Sequence, residues 1–226
     1  MFSEIKLKIS GTLSFIKKNI WPFFIICTPI VIIFKIMSPF VYEFNLWNML
    51  SASDYILILL NFIYNGFYLI VLIFLINIMY EDKKFSINDV FIFIKQKFLG
   101  IALIIFIIKI LTNIGYIFLI LPGIYILSRL AIAPYLYSID SCKIYNSFWL
   151  SITYTKKHVW KIFLTIIIIN IPIIPLFIIQ QLISNHLFIS IISVFFQLYY
   201  IVEVVLFYIF YLDIKEFMIK DLQNNR

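Results

Sequence analysis

The fold this sequence predicts is an all-α polytopic membrane bundle: six transmembrane helices arranged as three hairpins, each preceded by an amphipathic helix on the cytoplasmic surface. Three observations predict it. Of the 226 residues, 64% are apolar and only 13% charged, with a mean hydropathy of +1.06. Six predominantly apolar runs reach the roughly 20 residues that a helix needs to cross a hydrocarbon core of about 30 Å. Lys and Arg gather on one side of those runs, as cytoplasmic loops require. A soluble globule needs far more polar surface than 29 charged side chains supply, so the composition excludes a soluble enzyme, a disordered linker and a nucleic-acid module despite the net charge of +7. A β-barrel is excluded because the runs lack period-two alternation.

The runs, in order, are Ile20 to Met37, Tyr55 to Tyr80, Phe98 to Leu121, Gly123 to Ile139, Ile162 to Ile183 and Leu187 to Leu212. Two pairs form tight hairpins, turning at Pro122 and Gly123 and at Ser184, Asn185 and His186. Fifteen of the 18 Lys and Arg fall on one side, while the opposite connectors hold Glu43, Asp54 and His186 but no Lys or Arg. Both termini are therefore expected in the cytoplasm, with the first span serving as insertion signal and no cleavable leader before it. Cys27 in a span and Cys142 on a cytoplasmic connector are not expected to form a disulfide.

The cytoplasmic segments before the odd-numbered spans echo one another. Ser14-Phe-Ile-Lys-Lys-Asn-Ile-Trp21 parallels Thr153-Tyr-Thr-Lys-Lys-His-Val-Trp160, with a fainter copy at Phe93-Ile-Lys-Gln-Lys-Phe98. Each is preceded by apolar residues at helical spacing: Phe2, Ile5, Ile9, Leu13, Ile16 and Ile20; Ile87, Val90, Phe91, Ile94 and Phe98; Ile144, Phe148, Ile152, Thr155 and Val159. Ser86 and Asp89 fit the N-cap and N3 positions of a capping box for the second. Trp21 and Trp160 suit the headgroup level, and Lys17, Lys18, Lys156 and Lys157 suit anionic phospholipid headgroups at about 1 kcal/mol each. The chain reads as one integral membrane domain, 1–226, with repeat units 1–80, 81–140 and 141–220.

Four charges fall inside spans: Lys35, Lys109, Arg129 and Glu203. Each costs about 2.5 to 3.5 kcal/mol near the bilayer centre on insertion scales. Lys35 lies near the outer end of its span and can snorkel. At about 1.5 Å per residue, Lys109 sits near the centre, Arg129 about 3 Å outside it and Glu203 about 4 to 5 Å inside it. Glu203 is the expected counter-ion for Lys109 or Arg129. The third span carries 17 Leu, Ile and Phe residues and the fourth only seven, so the fourth is expected to enter as a hairpin with the third. Pro29, Pro134, Pro172 and Pro175 should kink their helices, and Pro172 with Pro175 should break the fifth span. Pro122, Gly123 and Pro134 together read as a helix-break motif.

Catalytic signatures are missing. His158 and His186 lie on opposite sides of the membrane, and there is no HExxH, GxSxG or Walker sequence among only five glycines. Glu81 and Asp82, beside Lys83 and Lys84, read as a solvated turn. No enzyme activity, cofactor or metal is expected.

The stretch Pro122-Gly-Ile-Tyr125, Arg129, Ala133-Pro134, Asp140, Ser147, Ser151, Thr155-Lys156 and Trp160 resembles an uncharacterised family of bacterial six-span inner-membrane proteins, similar to the membrane domain that accompanies some glycerophosphoryl diester phosphodiesterases. Ser147 stands where the family usually has Ala, and Lys157 where it usually has Gly. The resemblance covers about 40 residues and implies a multi-pass protein of the inner membrane, connected with envelope homeostasis or lipid metabolism. No phosphodiesterase domain is expected within these 226 residues, so that activity is not carried over. The reading that follows is a non-enzymatic membrane protein that contacts anionic lipid and supports the envelope or a membrane-protein partner. Its alternative is a secondary transporter or channel for a small or lipid-like solute, using Lys109, Arg129 and Glu203.

Overall fold

The computed structural model describes residues 1–23, 25, 29, 52–182 and 186–224, with the backbone alone at 52–62 and at part of the last two helices. All its elements are helices: α1 (Phe2–Lys18), α2 (Ala52–Tyr80), α3 (Ile87–Phe118), α4 (Ile120–Leu130), α5 (Ala133–Ser138), α6 (Ile144–Thr155), α7 (Val159–Asn170), α8 (Ile173–Leu182) and α9 (His186–Asn224). No strand occurs among the described residues. Among the described residues three stretches are long and apolar enough to cross a membrane, Ile63–Tyr80, Ile87–Phe118 and Ile120–Ser138, in keeping with a membrane protein. The expected first span, Ile20 to Met37, lies largely outside the described residues, as do Ser184 and Asn185 of the second hairpin turn; His186 is the first residue of α9.

The residues group into two compact units, one of 17–106 and one of 1–16 with 107–226. In the first, α2 buries consecutive residues from Tyr68 to Ile76. A helix buried on every side needs no polar face, and this one has none. Phe74 packs 4.9 Å from Phe93 and edge-on to Phe85 at 6.3 Å. α2 ends with the Lys83 amide donating to the Ile78 carbonyl and Asp82 at φ 49°, a left-handed stop that Asp tolerates better than most residues. The solvated turn at Glu81 and Asp82 is present. So is the capping box: the Ser86 amide and hydroxyl donate to Asp89 at 2.8 and 2.9 Å, and the Asp89 amide donates back at 3.3 Å.

The second amphipathic segment was expected as a surface helix separate from its span, but the two are one helix of 32 residues. The sequence explains the difference. After Lys17-Lys18 the first copy turns at Asn19, and after Lys156-Lys157 the third turns at His158, both poor helix formers. Lys95-Gln-Lys-Phe-Leu offers no such residue. The break expected at Pro122 and Gly123 also lies elsewhere, at Leu119, whose extended backbone (φ −174°, ψ 159°) separates α3 from α4. Proline is tolerated in the first helical turn, where its missing N–H would have no partner, so Pro122 sits inside α4. Pro134 behaves as expected, opening α5 after the turn at Ala131 and Ile132. Pro172 separates α7 from α8, breaking the fifth apolar run where it was expected to break.

In the second unit, α1 docks by one edge. Ile5 and Thr12 are buried, Glu4 pairs with Lys161 of α7 at 2.9 Å, and Lys8 pairs with Asp213 of α9 while lying 4.8 Å from the Phe210 ring centroid. The Lys161 hydrogen bond and charge hold Glu4 below its ordinary 4.5. Phe2 and Leu13, the other edge of the same apolar stripe, remain exposed beside Lys6 and Lys17. The core beneath is a tyrosine triad. Tyr135, Tyr208 and Tyr211 have ring centroids 5.7 to 6.1 Å apart, and the Tyr135 hydroxyl donates to the Val204 carbonyl at 2.8 Å.

Candidate functional site: the Arg129 clasp and the intramembrane charges

Arg129 ends α4, where the chain must turn before Pro134. Its carbonyl lies in the last turn of a helix and lacks a partner within it. Two hydroxyls from α6 supply one: Ser151 donates at 2.8 Å and Thr155 at 3.1 Å. These residues lie on a stripe, Ser147, Ser151 and Thr155, that is fully buried at a spacing of four. Small side chains along one face let two helix backbones approach closely, and here that face meets α4 and α5. Of the expected apolar spacing on this segment, Ile152 is exposed while Thr155 and Val159 are buried. Serine and threonine face inward, while Ile152, Tyr145 and Trp149 face outward with exposures of 40%, 76% and 61%.

The guanidinium works in the opposite direction. Its Nη2 donates to the Ile152 carbonyl at 2.6 Å and Nη1 to the Tyr125 hydroxyl at 3.4 Å. Ile152 begins the last turn of α6, whose carbonyls lack helical donors and carry the negative end of the helix dipole. Arg129 therefore caps α6 with its side chain while α6 caps α4 with two hydroxyls. The buried Nε has no hydrogen-bond partner.

The expected pairing with Glu203 is not found. Among the described residues no ion pair joins Lys109, Arg129 and Glu203. Glu203 is half-buried on α9, within electrostatic reach of Tyr116, Tyr135 and Tyr199. Lys109 is exposed on α3. The physical reason is local: the free carbonyls of α6 offer Arg129 a nearer acceptor than a carboxylate on another helix.

The remaining predicted residues lie in their own units. Trp160, 63% exposed, has its ring 6.5 Å from Tyr125 and 5.5 Å from Phe163. Trp21 is 75% exposed, and Lys17, Lys18, Lys156 and Lys157 are all exposed. Lys157 Nζ lies 4.3 Å from the Phe217 ring centroid. Gly123 packs against Gly115 and the ring of Tyr116 across the α3–α4 turn.

A second polar cluster, which the sequence did not disclose, ties α9 to the turn after α5. Asp140 accepts from Lys215 Nζ at 2.5 Å and from the Tyr211 hydroxyl at 2.9 Å. Tyr211 and Lys215 sit four apart on a helix, which puts both on one face. That spacing was the available signal, but nothing in the sequence joins it to Asp140. Among the described residues no three His, Cys, Asp or Glu side chains come together as a metal site would require.

His158, between α6 and α7, lies edge-on to Phe217 at 6.3 Å. Burial pushes its imidazole below the ordinary 6.5; Lys161, Lys8 and Lys157 add to the effect and Asp213 opposes it. A lowered folded-state pKa means that the neutral ring is favoured, so this stability is present above about pH 6.5 and is lost as pH falls through the folded value. Unfolding profiles between about pH 8 and pH 5 are expected to show the protein losing stability faster than His158→Gln. A constant gap between the two across that range would refute the assignment.

Compared with models of known families, with curated proteins and with solved structures, the chain matches none.

Proposed function

We propose that this protein is a non-enzymatic, multi-pass inner-membrane scaffold with six spans and both termini in the cytoplasm, whose surface helices α1 and α6 rest on anionic phospholipid headgroups. The observation that carries the reading is the use made of Arg129. The cation that most needed explaining inside the membrane is spent on holding α4 to α6, with its donors turned to the Ile152 carbonyl and Tyr125. A transport path would present such a group to a passing solute. The outward faces add support: Tyr145 and Trp149 on α6, with Lys143 and Lys156 at its ends, and Phe2 and Leu13 on α1 beside Lys6 and Lys17, combine apolar and aromatic side chains with cations as a headgroup layer requires. The resemblance to bacterial six-span inner-membrane proteins points the same way and suggests a role in envelope homeostasis.

The test is water access. Single cysteines at Ile110, Leu127 and Val202, each in a Cys27→Ala, Cys142→Ala background, are treated with a membrane-impermeant thiol reagent from each side. Protection at all three positions is expected. Labelling from either side would reveal a hydrated path and replace the scaffold with a transporter or channel for a small or lipid-like solute.

A further inference from the structure

Lys109 and Glu203 are opposite charges left without partners at a matching depth. Among the described residues neither takes part in an ion pair or a hydrogen bond. Counted at about 1.5 Å per residue from the midpoints of the proposed spans 98–121 and 187–212, their depths differ by about 5 Å, less than the reach of a lysine side chain. Lys109 stands on an outward face of α3 amid Leu103, Phe106, Ile110 and Ile114, all 42% to 49% exposed. Asn113, one turn further along, is also exposed. Glu203 is half-buried on α9, one turn beyond the half-buried Tyr199 and next to the half-buried Val202. Neither group is fully buried within its own chain, and hydrocarbon satisfies neither charge.

We propose that two copies of this chain associate side by side in the membrane, Lys109 of each pairing with Glu203 of the other. The occupant follows from charge complementarity. A surface that carries both a cation and an anion at one depth is complementary to itself, and a two-fold axis along the membrane normal makes each pair twice. A different partner would have to bring both charges in the same arrangement. Asn113 supplies an amide beside Lys109 for a further interhelical hydrogen bond. The inference rests on the proposed crossing of the membrane by α9 as well as α3.

The experiment uses the full chain in native membranes and in lipid vesicles. Two differently tagged copies, one Lys109→Cys and one Glu203→Cys, both in the Cys27→Ala, Cys142→Ala background, are co-expressed and oxidised. A cross-linked species carrying both tags is expected, and neither copy alone should form it. Fluorophore-labelled protein without substitutions at 109 or 203, diluted in vesicles, should bleach in two steps; Lys109→Glu should bleach in one, and Lys109→Glu with Glu203→Lys should return to two. Single-step bleaching of the unsubstituted protein, or a cross-link formed within one chain bearing both cysteines, would overturn the dimer. Impermeant thiol labelling of the same two cysteines separates the premises. Protection together with single-step bleaching refutes the dimer while leaving the membrane placement intact, and labelling at both refutes the placement itself.

Discussion

Gly115→Ala is expected to destabilise the protein by about 2 to 3 kcal/mol, the upper range for forcing an extra carbon into a packed site. A methyl group there would stand 2.7 Å from the Gly123 Cα and 2.9 Å from its nitrogen, so a backbone rather than a movable side chain has to give way. The two glycines are what allow α3 and α4 to touch across a single extended residue, Leu119. Gly11→Ala provides the contrast. Nothing lies within 4 Å of the added carbon in α1, and removing a helical glycine should stabilise by about 0.5 to 1 kcal/mol. Denaturation in mixed micelles measures both. Equal effects at the two positions would mean that the α3–α4 contact is not close.

The second large effect is expected at Arg129. Removing the side chain as Arg129→Gln deprives the end of α6 of a charged donor, a loss of about 1.5 to 3 kcal/mol. Arg129→Lys should recover part of it, because a point charge still suits the helix C-terminus and the buried, unpartnered Nε disappears. Ser151→Ala and Thr155→Val remove the hydroxyls that reach the Arg129 carbonyl, at about 1 kcal/mol each. Because both directions of the clasp join the same two helices, a double-mutant cycle between Arg129→Gln and Ser151→Ala should show coupling rather than additivity. Strict additivity would mean that the two halves act independently.

Much of the fold was legible because lipid makes strong demands on composition and charge. The end of α2 at Tyr80, the capping box at Ser86 and the break at Pro172 all follow from local rules, and all appear where those rules put them. The misplacements share a cause. Pro122 was read as a breaker, yet proline breaks a helix only beyond the first turn, and where that turn begins depends on a neighbouring backbone that the sequence does not reveal. The inward face of α6 was not singled out because the apolar spacing drew attention to the side expected to meet lipid. In a membrane the buried side is marked by small residues, and Ser147, Ser151 and Thr155 were in plain sight at the right spacing. Arg129 was correctly singled out as needing a partner. Its partner is a main-chain carbonyl, which no pattern of side chains can announce. Asp140 failed to stand out for a related reason, since the two groups that hold it, Tyr211 and Lys215, are more than 70 residues away.

The docking of α1 bears on the order in which the protein is made. The Arg129 clasp joins residues only 22 to 26 apart, whereas α1 finds its partners 157 and 205 residues later in the chain. At a synthesis rate of about 5 to 20 residues per second, α1 waits about 10 to 40 seconds before Asp213 exists. An apolar stripe left in water for so long would invite aggregation. If α1 rests on headgroups as proposed, with Lys6 and Lys17 toward them, the stripe is covered until α9 arrives and one edge turns inward. On that proposal, the edge left exposed in the finished protein is the side of α1 that never has to leave the lipid.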